Sequence, residues 1–399
     1  MEPHPEPPLG GFDYQPRTRV LFGPGTVSRT GALARELGAT RVLLVTDPGI
    51  AAAGHADHVS RLLRDAGVAV SCFDRVEENP STRCVDACLE TARRGAVDAV
   101  VGLGGGSSMD TAKGCNFLLT NGGRMRDYWG VGKATRPMLP LIAIPTTGGT
   151  GSECQSFALI TDAETHQKMA CGDPKAAARV ALLDPELTVS QPPRVTACSG
   201  IDAIAHAVET AVTRRRTALS QLFSHEAFRL TVAGFPRVLA KPDDLEARGW
   251  MLLGAAWAGT AIENSMLGAA HSAANPLTAQ FGITHGHAIA LMLPATVTFN
   301  AGDPDTAARY AALAAAGGLC DPGMGPEAGA ARLAARLADL ARAGGLADPP
   351  GRRRLPASSL PALADDAASQ WTAQFNPRPV TPAHFTALYR AALPWDEEA

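Results

Sequence analysis

The chain is expected to fold as an α/β domain on a doubly wound parallel sheet, residues 1–190, followed by an all-α domain, residues 191–399. Three observations predict this. Continuous apolar, β-branched runs alternate with helical segments through the first half. Strand ends there open into glycine-rich loops. Beyond about Thr196, Ala- and Leu-rich segments at helical spacing take over and strand-like runs almost vanish.

Composition narrows the class. At 399 residues, with 46% hydrophobic and 19% charged side chains, the chain has the make-up of a globular enzyme rather than a disordered or fibrous protein. A net charge of -3 leaves no basic surplus for a phosphate backbone, which excludes a nucleic acid as principal partner. No apolar run is long enough for a membrane span. The eight cysteines contain no CxxC pair, which argues against a zinc ribbon or a disulfide framework and for small apolar fillers in a reducing compartment. Met1 to Gly11 is Pro- and Glu-rich without an apolar core, so the expected location is the cytoplasm.

In chain order, Thr18–Phe22 reads as a short strand ending in Gly23-Pro24-Gly25, and residues 28–37 as a helix stopped at Gly38. The turn looks like a dinucleotide fingerprint, with Asp47 suitably placed 22 residues past Gly25. However, Ser28 stands where the third glycine belongs and Pro24 removes a backbone donor. Arg41–Thr46 is a continuous β-branched and apolar run, as in a strand buried on both faces. A helix over 55–66, a strand at Val68–Phe73, a turn at Asn79-Pro80 and a helix capped by Ser81 lead to the strand Val97–Leu103. That strand enters Gly104-Gly105-Gly106-Ser107, where glycines before a helix start let a phosphate approach the helix N-terminus. A second small-residue loop, Pro145-Thr146-Thr147-Gly148-Gly149-Thr150-Gly151-Ser152-Glu153, follows the strand Leu139–Ile144, at the strand end where open α/β sheets bind ligands. In the helical half, loops are expected near Pro242, Asp303 and Pro349.

The helical half opens on Gly200-Ile201-Asp202-Ala203-Ile204-Ala205-His206-Ala207-Val208-Glu209. Asp202 and His206, four residues apart, fall on one helix face, and His271 and His285 lie downstream. A hard oxygen with borderline nitrogens suits a divalent metal, although the pair alone equally suits a helix whose histidine packs in the core.

Taken together, GGGSSMDTAK, PTTGGTGSE, Ile160-Thr161-Asp162 followed by Lys168, and GIDAIAHAVE with His271 and His285 resemble the iron-containing, group III alcohol dehydrogenases. The likeness runs from the FGPG turn to Asn376-Pro377-Arg378. It implies a Rossmann-like N-terminal domain joined to a helical domain, the dehydroquinate synthase-like architecture. It also implies a metal held by Asp202, His206, His271 and His285, with Fe2+ expected and Zn2+ satisfying the same ligands. For NAD, it implies Gly105, Gly106 and Ser107 at the pyrophosphate, Thr146 and Thr147 at phosphates and ribose, and Lys168 at the nicotinamide ribose. Asn79 and Asp110 would lie nearby, and Asp47 at the adenosine ribose would repel a 2′-phosphate. The reaction implied is hydride transfer between a small alcohol or aldehyde and the nicotinamide, by a homodimer.

One position departs from the family. A further histidine four residues after His271 is replaced by Asn275, and an amide shuttles no protons, which leaves His287 as the substitute for a catalytic relay. Phe157, Asn264, Leu267 and Phe281 are expected around a mainly apolar substrate pocket. A metal-independent reductase of the maleylacetate type, a lyase or transhydrogenase on the same scaffold, and a non-catalytic nucleotide-binding sensor stay open as alternatives.

Overall fold

A computed structural model describes residues 11–165, 167–352 and 354–397. The chain divides into two compact units. One holds residues 16–192 and 241–259; the other holds 193–240, 260–399 and the stretch before Pro16.

The first unit begins with β1 (Arg19–Phe22), a 3-10 turn at Thr26–Arg29 and α1 (Thr30–Glu36). The helix expected over 28–37 is thus split, and Gly38 beyond it has φ 80°, as a helix stop requires. There follow β2 (Arg41–Val45), α2 (Pro48–Ala52), α3 (His55–Asp65), β3 (Ala69–Phe73), α4 (Thr82–Gly95), β4 (Ala99–Gly104) and α5 (Gly106–Asn121). Ser81 caps α4 as expected, its hydroxyl accepting the Cys84 N–H at 3.3 Å. After the short β5 (Gly130–Val131) come β6 (Leu141–Pro145), β7 (Phe157–Thr161), β8 (Lys168–Gly172) and β9 (Val180–Leu183).

The main sheet is parallel with strand order β1-β9-β6-β4-β2-β3. Alternate residues of one strand serve opposite cores. Leu43 and Val45 pack with Cys88, Met109 and Ala112 on one face, and Val42 and Leu44 pack with Leu33, Val59 and Leu63 on the other. An uninterrupted apolar run is therefore needed. From β2 the chain passes to β3 on one side and then to β4 on the other, so the order reverses between β2 and β4. Ligands of doubly wound sheets bind at the carboxyl ends of strands flanking such a reversal. The FGPG turn instead follows β1, an edge strand, which agrees with its departures from the fingerprint.

The sequence reading missed a second, three-stranded sheet, β5-β8-β7, in which β7 and β8 form an antiparallel hairpin. Thr161 faces Lys168 across it. A polar turn and short strands gave little periodicity to read.

The second unit comprises α6 (Pro193–Thr210), α7 (Ala218–Ala240), the last turn of α8 (Leu245–Glu263), α9 (Ala269–Phe281), α10 (His285–Asn300), α11 (Pro304–Ala316), α12 (Pro326–Ala343), α13 (Leu360–Ser369) and α14 (Pro382–Ala392). Residues 241–259, expected within one helical domain over 191–399, pack instead with the sheet unit: Leu252 and Ala256 share a core with Ala181 and Leu183 of β9. Helical periodicity reports a segment's type and leaves its destination open. Helix α10 packs against α6, α9, α12 and α14. Its residues from Gly286 to Leu293 are all buried, as expected of a helix apolar on every side. Among the described residues, the only strand pairing in this unit is Leu355–Pro356 with Trp395–Asp396, and no helix is long and apolar enough to cross a membrane.

Candidate active site

The carboxyl ends of β2, β4 and β6, adjacent in the sheet, carry three of the expected nucleotide segments. Asp47, two residues past β2, caps α2, accepting the Ile50 N–H at 3.0 Å. Its other oxygen accepts Ser108 Oγ at 3.4 Å, which places the carboxylate beside the glycine loop after β4. In that loop Gly104 has φ 141°, and a Cβ there would lie 2.5 Å from Ser108 Oγ and 3.1 Å from the Asp47 carboxylate, so only glycine fits. Gly105 caps α5 with no side chain, leaving the first N–H groups of a 16-residue helix directed at the loop. The loop after β6 lies against it: the Thr146 N–H donates to the Gly104 carbonyl at 3.0 Å, and Thr147 and Thr150 approach Gly105 and Gly106. Thr146 is buried, and its Oγ1 finds no hydrogen-bond partner among the described residues.

Asn79, at φ 53°, donates its N–H to Ser107 Oγ at 3.2 Å, and its side-chain oxygen accepts Lys168 Nζ at 3.4 Å. The β7–β8 hairpin thus brings Lys168 to Asn79, 89 residues earlier in sequence. Asp110 lies deeper and accepts Ser152 Oγ at 2.9 Å. Burial pushes its carboxyl up, with Lys113 pulling the other way. The buried Lys113 ammonium donates to the Ser152 carbonyl at 2.6 Å, to Ser152 Oγ at 2.9 Å and to the Phe157 carbonyl at 2.9 Å, pinning the second loop to α5. Asp110 therefore acts from behind the loops. Glu153, also buried, is pushed up to about 7 by burial, and its Oε1 has no hydrogen-bond partner among the described residues.

In the helical unit, α6 presents Asp202 and His206 one turn apart, α9 presents His271 at its third position, and α10 presents His285 at its first. Around Asp202 Oδ1 stand the Nε2 atoms of His271 at 3.4 Å, His206 at 3.5 Å and His285 at 3.7 Å. Ligand atoms of Asp202, His271 and His285 lie within 4.8 Å of one another, and the His206 ring stacks on His271 at 4.8 Å between centroids. Gly286 makes this possible, since a Cβ there would sit 2.1 Å from the Cys198 carbonyl of α6. Any side chain would drive α10, and His285 with it, away from α6.

Burial alone would raise Asp202, but the three imidazoles outweigh it and hold the carboxyl well below its ordinary range. For His271, burial pulls downward, and the Glu209 and Asp202 carboxylates reverse it to about 9. Asp202 Oδ1 and His271 Nε2 are fully buried with no hydrogen-bond partner among the described residues. A buried carboxylate oxygen with three imidazole nitrogens converging on it within 3.7 Å fits a cation. The Asp202, His206 and His271 side chains are at most 7% exposed, whereas His285 is 24% exposed and gives the cluster its open side.

Asn275 and the relay candidate His287 each have hydrogen-bond partners outside the cluster. Asn275 donates its amide to Gln370 Oε1 at 3.1 Å. His287 is 2% exposed, with Nε2 at 2.7 Å from the Asp348 carbonyl and Nδ1 at 3.5 Å from the Arg194 guanidinium. Burial holds its ring below the ordinary histidine value. Of the expected pocket residues, Phe157 lies over Gly172 within the hairpin, and Asn264 donates back to the Thr260 carbonyl at 2.8 Å. Leu267 and Phe281 are half-buried. Glu209, whose carboxylate bonds to His271 Nδ1, was missed as a site residue. Its signal was its spacing, three residues after His206 and seven after Asp202 on the same helical face.

Comparison with known proteins identifies the family. Residues 16–185 match the family described as iron-containing alcohol dehydrogenase, and residues 196–393 match its C-terminal family. The NAD-dependent methanol dehydrogenase of Bacillus methanolicus is 35% identical over 280 residues, 70% of this chain and 74% of that protein. The choline dehydrogenase of Bacillus subtilis is 39% identical over 298 residues, 74% of each. Among solved structures, a 1,3-propanediol oxidoreductase superposes with a TM-score of 0.90 at 30% identity, covering 96% of this chain and all of that one. An alcohol dehydrogenase from Oenococcus oeni gives 0.90 at 28%, with the same coverage. Matched by family across both halves and by fold over nearly its whole length, the chain belongs to the iron-containing alcohol dehydrogenases, a family of oxidoreductases.

Proposed function

We propose that the protein is a metal-dependent, NAD-linked alcohol dehydrogenase acting on small primary alcohols and the matching aldehydes. The observation that carries the reading is the convergence of Asp202, His206, His271 and His285, with three imidazole nitrogens within 3.7 Å of one buried carboxylate oxygen. These four residues would hold Fe2+, with Zn2+ the alternative that the same donors accept. When bound, the nicotinamide takes or returns the hydride and the divalent cation polarises the substrate oxygen.

The rest is work for the chain's own residues. The α5 N-terminus and Gly105, Gly106 and Ser107 bind the pyrophosphate with backbone N–H groups, and Thr146 and Thr147 add hydroxyls. Lys168 and Asn79 orient the nicotinamide ribose. Asp47 accepts the adenosine ribose hydroxyls and repels a 2′-phosphate, which selects NAD over NADP. Asp110 and Lys113 hold the two loops in register through Ser152. Similarity to proteins named for methanol, 1,3-propanediol and choline supports a primary alcohol, the one group those compounds share.

The test is NADH production from a panel of methanol, ethanol, 1,3-propanediol and choline, with elemental analysis of the protein before and after chelation. Expected are about one Fe2+ or Zn2+ per chain, turnover of at least one alcohol with NAD, and loss of turnover on metal removal. Full activity without metal would establish the maleylacetate-type alternative. NADH binding without turnover of any alcohol or aldehyde would establish the sensor.

A further inference from the structure

We propose that Glu209 is a positioning residue of the metal centre: one buried carboxylate that fixes the ring of His271 and caps the helix carrying it. The inference rests on the metal reading above.

Glu209 is 3% exposed near the end of α6 and spends each oxygen separately. Its Oε2 bonds to His271 Nδ1. A carboxylate only accepts, so Nδ1 carries a proton, and in the neutral ring that a metal would bind the lone pair is on Nε2, the atom facing Asp202 Oδ1 at 3.4 Å. Its Oε1 accepts the Ala270 N–H at 2.8 Å. Helix α9 begins after Gly268, which has no side chain to cap it, and its first N–H groups are satisfied from outside. Asn376 Oδ1 takes Ala269 at 3.1 Å and Glu209 takes Ala270. A negative charge at this helix start is also favoured by the dipole. His271 is the next residue, so the bond that ends the helix and the bond that orients the ligand come from one group.

A glutamine cannot replace it. With its oxygen on Ala270, its amide would donate to Nδ1, which forces the ring proton onto Nε2, where the metal would bind. The cap survives and the ligand is lost. A residue that merely stabilised the fold would show the reverse pattern.

The test compares wild type, Glu209→Gln, His271→Ala and the double variant. The readouts are Zn2+ affinity and release to a chromophoric chelator, metal content by elemental analysis, and melting of the metal-free proteins. Glu209→Gln is expected to weaken Zn2+ binding about 10- to 100-fold, beyond any change in metal-free melting, and to add nothing to the affinity lost in the His271→Ala background. Wild-type Zn2+ affinity in Glu209→Gln, or an equal further loss in the double variant, would overturn the role of Glu209 alone. A wild-type protein that takes up neither Zn2+ nor Fe2+ would overturn the metal reading and this inference with it. Should Glu209→Gln not fold, Glu209→Asp gives the same readout. It keeps the charge but is one methylene too short to span both donors, and the same loss or retention of Zn2+ decides.

Discussion

The loops after β2, β4 and β6 and the histidine cluster of α6, α9 and α10 hold charge in opposite ways. The loops are built from backbone: glycines, an uncapped helix start, and space that side chains have vacated. The cluster is built from side chains, four convergent donors within a few ångströms, buried and oriented by neighbours. An anion cradle works by what is missing from it, and a cation site by what is present. The first should therefore fail when atoms are added and the second when atoms are removed.

The largest effect is expected from removal. His271→Ala deletes one of the four proposed ligands and leaves Glu209 buried without its imidazole, so metal content should collapse and turnover fall by about 10^3-fold or more. Elemental analysis alongside NAD-linked rates checks this. Addition comes next. A methyl at Gly106 would lie 2.7 Å from Thr150 Cγ2, pressing the two loops apart. Overpacking of this kind costs about 1–3 kcal/mol, which, falling on the loop geometry that NAD needs, is roughly 5- to 150-fold in NAD affinity. Gly106→Ala should thus raise KM for NAD while metal content stays at the wild-type level. A loss of metal in Gly106→Ala would break the division.

How far these sites could be read in sequence follows from the same contrast. Gly105, Thr146 and Asp47 were legible because each sits at the end of a strong strand signal, and doubly wound sheets put such ends on one edge. Asp202 and His206 were legible because helical spacing fixes a shared face. Lys168 meets Asn79 only through a hairpin whose short strands carried no clear period. Glu209 stood in plain view in the same decapeptide, but its role depends on where Ala270 and His271 arrive, some 61 and 62 residues later. Residues 241–259 read correctly as helix while their destination, the sheet unit, is a tertiary fact.

Glu153 tests the backbone-built side by pH. Its carboxyl is buried behind the second loop and raised by burial to about 7, with Lys113 the nearby charge opposing the shift. A folded-state value above the unfolded one means that the native protein binds the extra proton. Stability is therefore greatest below the unfolded value of 4.5 and declines as pH rises through about 7. The ceiling is about 3 kcal/mol at 1.36 kcal/mol per pK unit. Glu153→Gln removes the charge that must otherwise be buried. Its melting temperature should exceed wild type at pH 8.5 and converge with it at pH 5. An equal offset at both would remove Glu153 from the account.

The smallest effect is expected at His287, which tests whether a histidine beside a ligand belongs to the cluster. His285 and His287 are two residues apart at the start of α10, and two helical steps turn a side chain through about 200°. His285 faces Asp202, while His287 points the other way, bonded to the Asp348 carbonyl and facing Arg194. A ring with both nitrogens engaged and its value lowered by burial is placed to hold a loop rather than to pass protons. His287→Ala should cost about 1–2 kcal/mol of stability, from the lost bond and the buried carbonyl left unpaired. It should leave metal content and the shape of the pH-rate profile unchanged. A shifted profile at constant metal content would return His287 to the relay and show that the side-chain-built site extends around the helix. An unchanged profile confines that site to the face α10 shares with α6, where Gly286 permits the close approach.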